Sequence, residues 1–178
     1  MITSAPRVAE PVKQERKNSG TTFRKPTRSD GKQIHELISN CPPLDENSAY
    51  CNFLQSTHFQ DTCLIVEQDG KALGFISAYL KPDEEKTLFI WQVAVHPKAR
   101  GQGLAFRMLQ QLLIRDELRN VASIETTITE DNEGSWNLFK KLDKAHGKRG
   151  QVTTFLDEIR HFKGEHDTEY LYRIPLNQ

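Results

Sequence analysis

The sequence predicts an α/β (α+β mixed-sheet) domain: a central, twisted, mostly antiparallel sheet of about six to seven strands flanked by about four helices. Three observations carry this. Gln68-Asp69-Gly70-Lys71 stands between two β-branched, apolar runs, and Asp-Gly suits a hairpin turn that needs positive φ. Leu88–Val95 is strongly apolar and β-branched, which marks a central strand. A helical period then takes over at Gln102 and gives way to a second β-branched run from Ser123. A strand, a crossover helix and another strand form a right-handed unit whose two strands lie parallel.

Each element follows in order. Residues 1–21 are polar, carry Pro6, Pro11 and Gly20, and are expected to form a disordered tail, leaving 22–178 as the domain. Thr22–Arg24 reads as a short first strand. Ser29 or Asp30 can cap a helix over Gly31–Ser39, with Ile34, Leu37 and Ile38 on one face. Cys41-Pro42-Pro43 ends it, because proline supplies no donor and restricts the residue before it. Asp45 or Asn47 can cap a second helix with Tyr50, Phe53 and Leu54 inward. Cys63–Glu67 and Leu73–Leu80 are the strands of the hairpin, with Gly74 a candidate bulge, and Leu88–Val95 completes an antiparallel meander. Over Gln102–Leu118, Leu104, Ala105, Met108, Leu109, Leu112 and Leu113 share a face opposite Arg107, Gln110, Gln111 and Arg115. Ser123–Thr129 is the parallel strand. Asp131-Asn132 opens a helix carrying Trp136, Phe139 and Leu142. Lys144–Gly150 is a basic loop, and Gln151–Phe155 and Tyr170–Ile174 are the last strands.

Composition bounds the function. A chain of 178 residues suits one domain with a real core. Twenty-four basic and 24 acidic side chains cancel, which argues against a nucleic-acid partner. No apolar run approaches the roughly 18 residues of a membrane span, and the N-terminus has no signal-peptide core. Three cysteines (Cys41, Cys51, Cys63) without C-x-x-C spacing suit a reducing cytoplasm, with neither a disulfide framework nor a metal site.

The most informative stretch is WQVAVHPKARGQGLA, Trp91–Ala105. A helix N-terminus offers unpaired N–H groups and the positive end of the peptide dipoles, and glycines let a bulky anion approach. A phosphate-bearing ligand is therefore expected at Arg100-Gly101-Gln102-Gly103-Leu104-Ala105. The turn lacks the G-K-[ST] of a P-loop and the full G-x-G-x-x-G of a dinucleotide fold. Taken alone it is as readily a plain strand-to-helix turn. Its place between a strong strand and an amphipathic helix favours the anion cradle.

Val95, Pro97 and Arg100–Ala105 together resemble the acyl-CoA-binding motif of the GNAT superfamily of N-acetyltransferases, R/Q-x-x-G-x-G/A, met here by Arg100, Gly103 and Ala105. The element order βααβββαβαββ is also that family's. Asn132, Ser135, Leu138 and Phe139 resemble its second element, although Asn132 is equally a helix cap. The resemblance implies a GNAT fold whose central parallel strands splay. It implies acetyl-CoA as cosubstrate, no metal, and a cofactor site of Val93, Ala94, Val95, the turn Arg100–Ala105 (Arg100, Gly101, Gln102, Gly103, Leu104, Ala105), Asn132, Ser135 and Phe139. More narrowly, CPPLDENSAY (41–50), HFQDT (58–62), LFIWQVAV (88–95), ETTITEDN (125–132) and E-x-L-Y-R-I-P-L (169–176) resemble the L-2,4-diaminobutyrate acetyltransferases of ectoine synthesis.

Amine acetylation needs a neutral amine, a held thioester, a stabilised oxyanion and a proton for the leaving thiolate. Many GNAT members place a tyrosine acid where Phe139 stands and a glutamate base on the central strand; this chain has neither. Candidates for those roles are Asp45, Tyr50, His58, Glu125, His166 and Glu169, of which Asp45, Tyr50 and Glu169 are taken as catalytic. A substrate site of Asp45, Asn47, Tyr50, His58, Trp91, Glu125 and Glu169 is expected, because a second ammonium needs a carboxylate and an aromatic wall suits a short cationic stem. Each has a plain alternative: Asp45 as a helix cap, Tyr50 as packing, Glu169 in a structural ion pair. The expected activity is acetylation of the γ-amine of diaminobutyrate by a cytoplasmic homodimer. The alternatives are acetylation of another small diamine or amino acid, or a CoA-binding module without turnover.

Overall fold

The computed structural model describes residues 20–177. The expected tail lies, up to residue 19, outside the described residues. Among the described residues seven strands, β1 (Thr22–Arg24), β2 (Leu64–Gln68), β3 (Lys71–Lys81), β4 (Glu84–Val95), β5 (Ser123–Ile128), β6 (Gln151–Leu156) and β7 (Glu169–Pro175), form one sheet in the order β1-β2-β3-β4-β5-β7-β6. Only β4 and β5 pair in parallel; every other pair is antiparallel. Among the described residues four α-helices, α1 (Gly31–Ser39), α2 (Ala49–Gln55), α3 (Leu104–Leu113) and α4 (Glu133–Ala145), cover the sheet.

The two faces have separate cores. On one, Ile34, Leu37 and Ile38 of α1 meet Ile65, Phe75 and Ala94. On the other, Met108, Leu109 and Leu112 of α3 and Phe139 and Leu142 of α4 meet Val66, Ile76, Leu88, Ile90, Ile124 and Tyr172. Each buried Val, Leu, Ile, Phe or Met among them contributes about 1.5–3 kcal/mol on leaving water. At Gly74 a Cβ would lie 2.6 Å from the Met108 sulfur, so this glycine is what lets α3 sit against β3. The bulge expected at Gly74 falls beside it: Val66 pairs with Gly74 and Glu67 with Ala72. Asp69 and Gly70 both take positive φ (52° and 74°), as the hairpin turn requires.

Two features of β4 build the site. Ser77 pairs with Gln92 and Ala78 with Ile90, so Trp91 bulges out of register. A bulge moves the side chains after it to the opposite face. Leu88 and Ile90 belong to the α3/α4 core before it, and Val93 and Val95 pack on that core after it. The second feature is a fork. β4 pairs with β5 only from Thr87–Ser123 to Ile90–Thr126. β5 continues to Ile128 on β7, and β4 continues to Val95 on β3, so the strands part at the bulge.

α2 corrects the sequence reading. Its cap is Ser48, whose hydroxyl accepts from the Cys51 amide at 3.2 Å, rather than Asp45 or Asn47. Its buried side chains are Asn52 and Gln55, whereas Tyr50 is 71% exposed. A polar network decides this orientation: Asn52 meets His35 at 3.2 Å and donates to Gln55 at 3.0 Å. α3 stops at Leu113, and the rest of the expected helix is a turn and a short 3-10 helix at Asp116–Leu118.

Candidate active site

The fork opens into one long groove. Its outer end, about 480 Å³, lies between the glycine turn and α4 and is lined by Val93, Val95, Arg100, Ala105, Asp131, Asn132, Glu133, Gly134, Ser135 and Leu138. Its inner end, about 460 Å³, runs on past Val93, Asn132, Ser135 and Phe139 to Asp45, Trp91, Gln92, His166 and Glu169.

Local sequence explains the outer end. Gly101 (φ 74°) and Gly103 (φ 70°) both take left-handed backbone, and a Cβ at either would meet nothing within 4 Å. Gly103 is the N-cap of α3, so the first amides of the helix emerge from an open, side-chain-free turn. Arg100 is folded back by its Nε donating to the Val95 carbonyl at 3.0 Å. Across the groove Asn132 caps α4, its Oδ1 accepting from the Ser135 amide at 3.1 Å. The expected cap is therefore present, and the same residue lines the groove. Two helix N-termini thus flank one cavity, an arrangement that favours an anionic ligand.

Main-chain geometry supplies the centre. The His96 amide donates to Leu73 of β3, whereas the Val95 carbonyl takes the Cys41 thiol (3.3 Å) and Arg100. Peptide groups alternate sides along a strand. Val93 and Val95 therefore aim their N–H groups away from β3, into the groove, where they can serve an oxyanion. Ala94, expected among the cofactor residues, does not: its side chain is buried against α1 and its peptide group turns to β3. Leu104 is also a core side chain; of the expected turn, Arg100 and Ala105 line the groove, and Gly101, Gln102, Gly103 and Leu104 do not.

Electrostatics distinguish the inner end. Asp45, Asp131, Glu158, Glu165, Asp167 and Glu169 line it; among the described residues no Lys or Arg does, and the one basic side chain there is His166. The imidazole sits with Nδ1 2.8 Å from the Asp167 carbonyl and Nε2 3.9 Å from a Glu169 oxygen. That carbonyl, and then the charges of Glu169, Asp45 and Asp167, raise its pKa above the ordinary histidine value. The loop carrying most of these acids is shaped by its own bonds. Asp157 Oδ1 accepts from the Ile159 and Arg160 amides, and the Glu158 amide donates to Thr168. The β6–β7 hairpin then lays residues 158–169 over the groove.

The structure brings Asp45, Trp91 and Glu169 together from the expected substrate site. Four expected residues do not line the groove. Glu125 is 3% exposed, locked to Arg173 (2.7 Å) and Lys81 (3.0 Å) on the sheet, because its strand position points it at Arg173 across β7. His58 lines a separate surface hollow with Thr27, Arg28 and Gln60. Tyr50 projects from the exposed side of α2 and does not line the groove. Asn47 does not line it either; its amide donates to Gln92 at 2.7 Å. Missed by sequence reasoning were Gln92, Asp131, Glu158, Glu165 and Asp167. The signals were present: a lone amide inside an apolar strand, and a connection too long for a simple hairpin and dense in acids.

Residues 31–143 match the Acetyltransferase (GNAT) family. The chain is similar to the L-2,4-diaminobutyric acid acetyltransferase of Vibrio parahaemolyticus serotype O3:K6, at 63% identity over 176 residues, covering 99% of this chain and 97% of that relative. Identity to the enzyme of the same description from Vibrio cholerae serotype O1 is 64% over 154 residues, 86% and 89% of the two chains. Among solved structures, diaminobutyrate acetyltransferase EctA from Paenibacillus lautus, in complex with its substrate L-2,4-diaminobutyric acid and coenzyme A, matches with a TM-score of 0.85 at 36% identity, covering 90% of this chain and 99% of that one.

Proposed function

The chain belongs to the GNAT family of acetyltransferases, and on that premise we propose that it transfers the acetyl group of acetyl-CoA to the γ-amine of L-2,4-diaminobutyrate, a step of ectoine synthesis. The observation that carries this reading is that the two ends of one groove differ: an open glycine turn and two helix N-termini with Arg100 at the outer end, a cluster of carboxylates at the inner end. The end flanked by the glycine turn and the α4 N-terminus suits a pyrophosphate; the end lined by six carboxylates and, among the described residues, no Lys or Arg suits a small diammonium.

The reaction is direct. The substrate γ-ammonium first loses a proton to the acid-lined cleft or its water. The amine nitrogen then attacks the thioester carbon, beside the Val93 amide as oxyanion donor. The C–S bond breaks, the thiolate leaves, and a proton from the nitrogen ends on the thiol. Cysteine relay is disfavoured: Cys41 and Cys63 are buried, and burial pushes the Cys63 thiol up to about 12. Asp45 and Glu169 hold the α-ammonium and Trp91 walls the stem. We also propose a homodimer, supported by the half-exposed Val152 and Phe155 on the edge strand β6, and a cytoplasmic location, supported by three free cysteines.

One observation favours a second reading. Phe139 lines the groove and carries no proton to give, which suits a CoA-binding module without turnover. Thiol release from acetyl-CoA in the presence of diaminobutyrate, with NMR of the product, decides. Release with γ-acetyl product is expected. Tight CoA binding without release from any diamine overturns the enzymatic reading.

A further inference from the structure

Gln92 is a polar side chain in an apolar strand, 6% exposed, immediately after the bulge and immediately before Val93. Its amide is used at both ends. Nε2 donates to the main-chain carbonyl of Asp45 at 2.8 Å, and Oε1 accepts from the Asn47 side chain at 2.7 Å. The stretch 45–47 has no regular structure, and among the described residues it makes no other hydrogen bond to the rest of the molecule. The Asp45 carboxylate itself makes no hydrogen bond or ion pair among the described residues; it acts on His166 through its charge alone, so the loop's position sets where it stands.

We propose that Gln92 is a positioning residue for substrate selection: its side-chain amide latches the Asp45 loop to β4, setting the Asp45 carboxylate at a fixed distance from the Val93 amide. The inference rests on the reading of Asp45 as an anchor for the substrate ammonium. One residue carries the latch and the next carries the oxyanion donor. The spacing between the amine that is held and the carbonyl that is attacked is therefore built into two consecutive positions of one strand. Held geometry of this kind is what turns binding into orientation. A loosened latch leaves Asp45 able to attract a diamine but unable to place it. Its loss shows in diaminobutyrate kinetics and in the choice between α- and γ-amines, not in acetyl-CoA binding.

The test uses the full chain. Gln92→Leu conserves approximate volume and removes both bonds. KM for diaminobutyrate is expected to rise by about tenfold, as loss of one or two ordinary hydrogen bonds implies, with KM for acetyl-CoA unchanged and α-acetylated product appearing by NMR. In an Asp45→Ala background the same substitution is expected to add nothing, because its effect passes through Asp45. Asn47→Ala, at a position outside the core, removes half the latch and is expected to give a smaller change in the same direction; it carries the test if Gln92→Leu fails to fold. A lowered Tm with unchanged diaminobutyrate KM and γ-selectivity in both variants overturns the proposal and leaves Gln92 a packing residue. Normal diaminobutyrate kinetics in Asp45→Ala alone is a different result: it overturns the anchoring role itself.

Discussion

At the scale of single residues, Asp45 and His166 show how environment decides role. Asp45 read from sequence as either a helix cap or an ammonium anchor; Ser48 takes the cap, and Asp45 is left facing the groove. Asp45→Ala is therefore expected to lower kcat/KM for diaminobutyrate by about ten- to a hundredfold, as loss of a charge-assisted hydrogen bond of about 1.5–3 kcal/mol implies, with KM for acetyl-CoA unmoved. Steady-state kinetics in both substrates check it, and normal diaminobutyrate kinetics would contradict it. His166 is expected to titrate above the usual value of about 6.5, chiefly through the Asp167 carbonyl and then Glu169 and Asp45. An NMR titration should show this, with the midpoint lower in Glu169→Gln but still above that value. Because folding raises this pKa, the imidazolium's stabilising contribution is complete below the unfolded value and fades as pH rises through the folded one. Turnover runs the other way, rising with pH as the amine loses its proton.

At the scale of elements, legibility followed period. The hairpin at Asp69-Gly70, the β4–α3–β5 crossover and the α4 start at Asn132 could be read because turn chemistry and hydrophobic spacing agree there. The β4 bulge could not. Leu88 to Val95 is apolar at both parities except Gln92, so no alternation reveals that Trp91 slips and the faces exchange. α2 misled for the opposite reason: its aromatic residues have the right spacing, yet a buried Asn52–Gln55–His35 network turns them outward. The glycine turn was legible in sequence and open in structure, which makes it testable as a unit. Gly103→Val places a β-branched side chain at φ 70°, with space around it. The strain costs about 1–3 kcal/mol of stability, so the fold survives. Acetyl-CoA affinity by calorimetry is expected to fall at least about tenfold, since an anion can no longer reach the helix amides. Gly70→Val is the control. It has similar backbone (φ 74°) and equal space but lies in the β2–β3 hairpin, so it should cost comparable stability and leave CoA binding intact.

At the scale of the whole molecule, formal net charge is zero, and selection must come from where charges sit. Acids converge on the inner cleft while Lys81, Arg173 and Arg24 are spent in structural pairs elsewhere on the sheet. A concave acidic site focuses its field on the two ammonium groups of a small diamino acid, and salt weakens that field over a Debye length of about 8–10 Å. The same field has a cost, because it holds the reacting amine charged as well. The conflict resolves if the strongest attraction falls on the α-ammonium and the γ-amine is carried away from it, toward Val93. Three substrates separate this from simple shape recognition. Diaminobutyrate is expected to show a kcat/KM that falls with rising salt. Ornithine keeps both ammonium groups but its longer stem carries the distal amine past the thioester carbon; salt sensitivity should persist while kcat falls. 4-Aminobutyrate preserves the span from carboxylate to reacting amine and lacks only the α-ammonium; its kcat/KM should fall by about a hundredfold, with a shallower salt dependence, the size expected when a charge-assisted contact of about 3 kcal/mol is absent. If 4-aminobutyrate is acetylated as efficiently as diaminobutyrate, with the same dependence on salt, the acidic cleft does not select the substrate and length alone does.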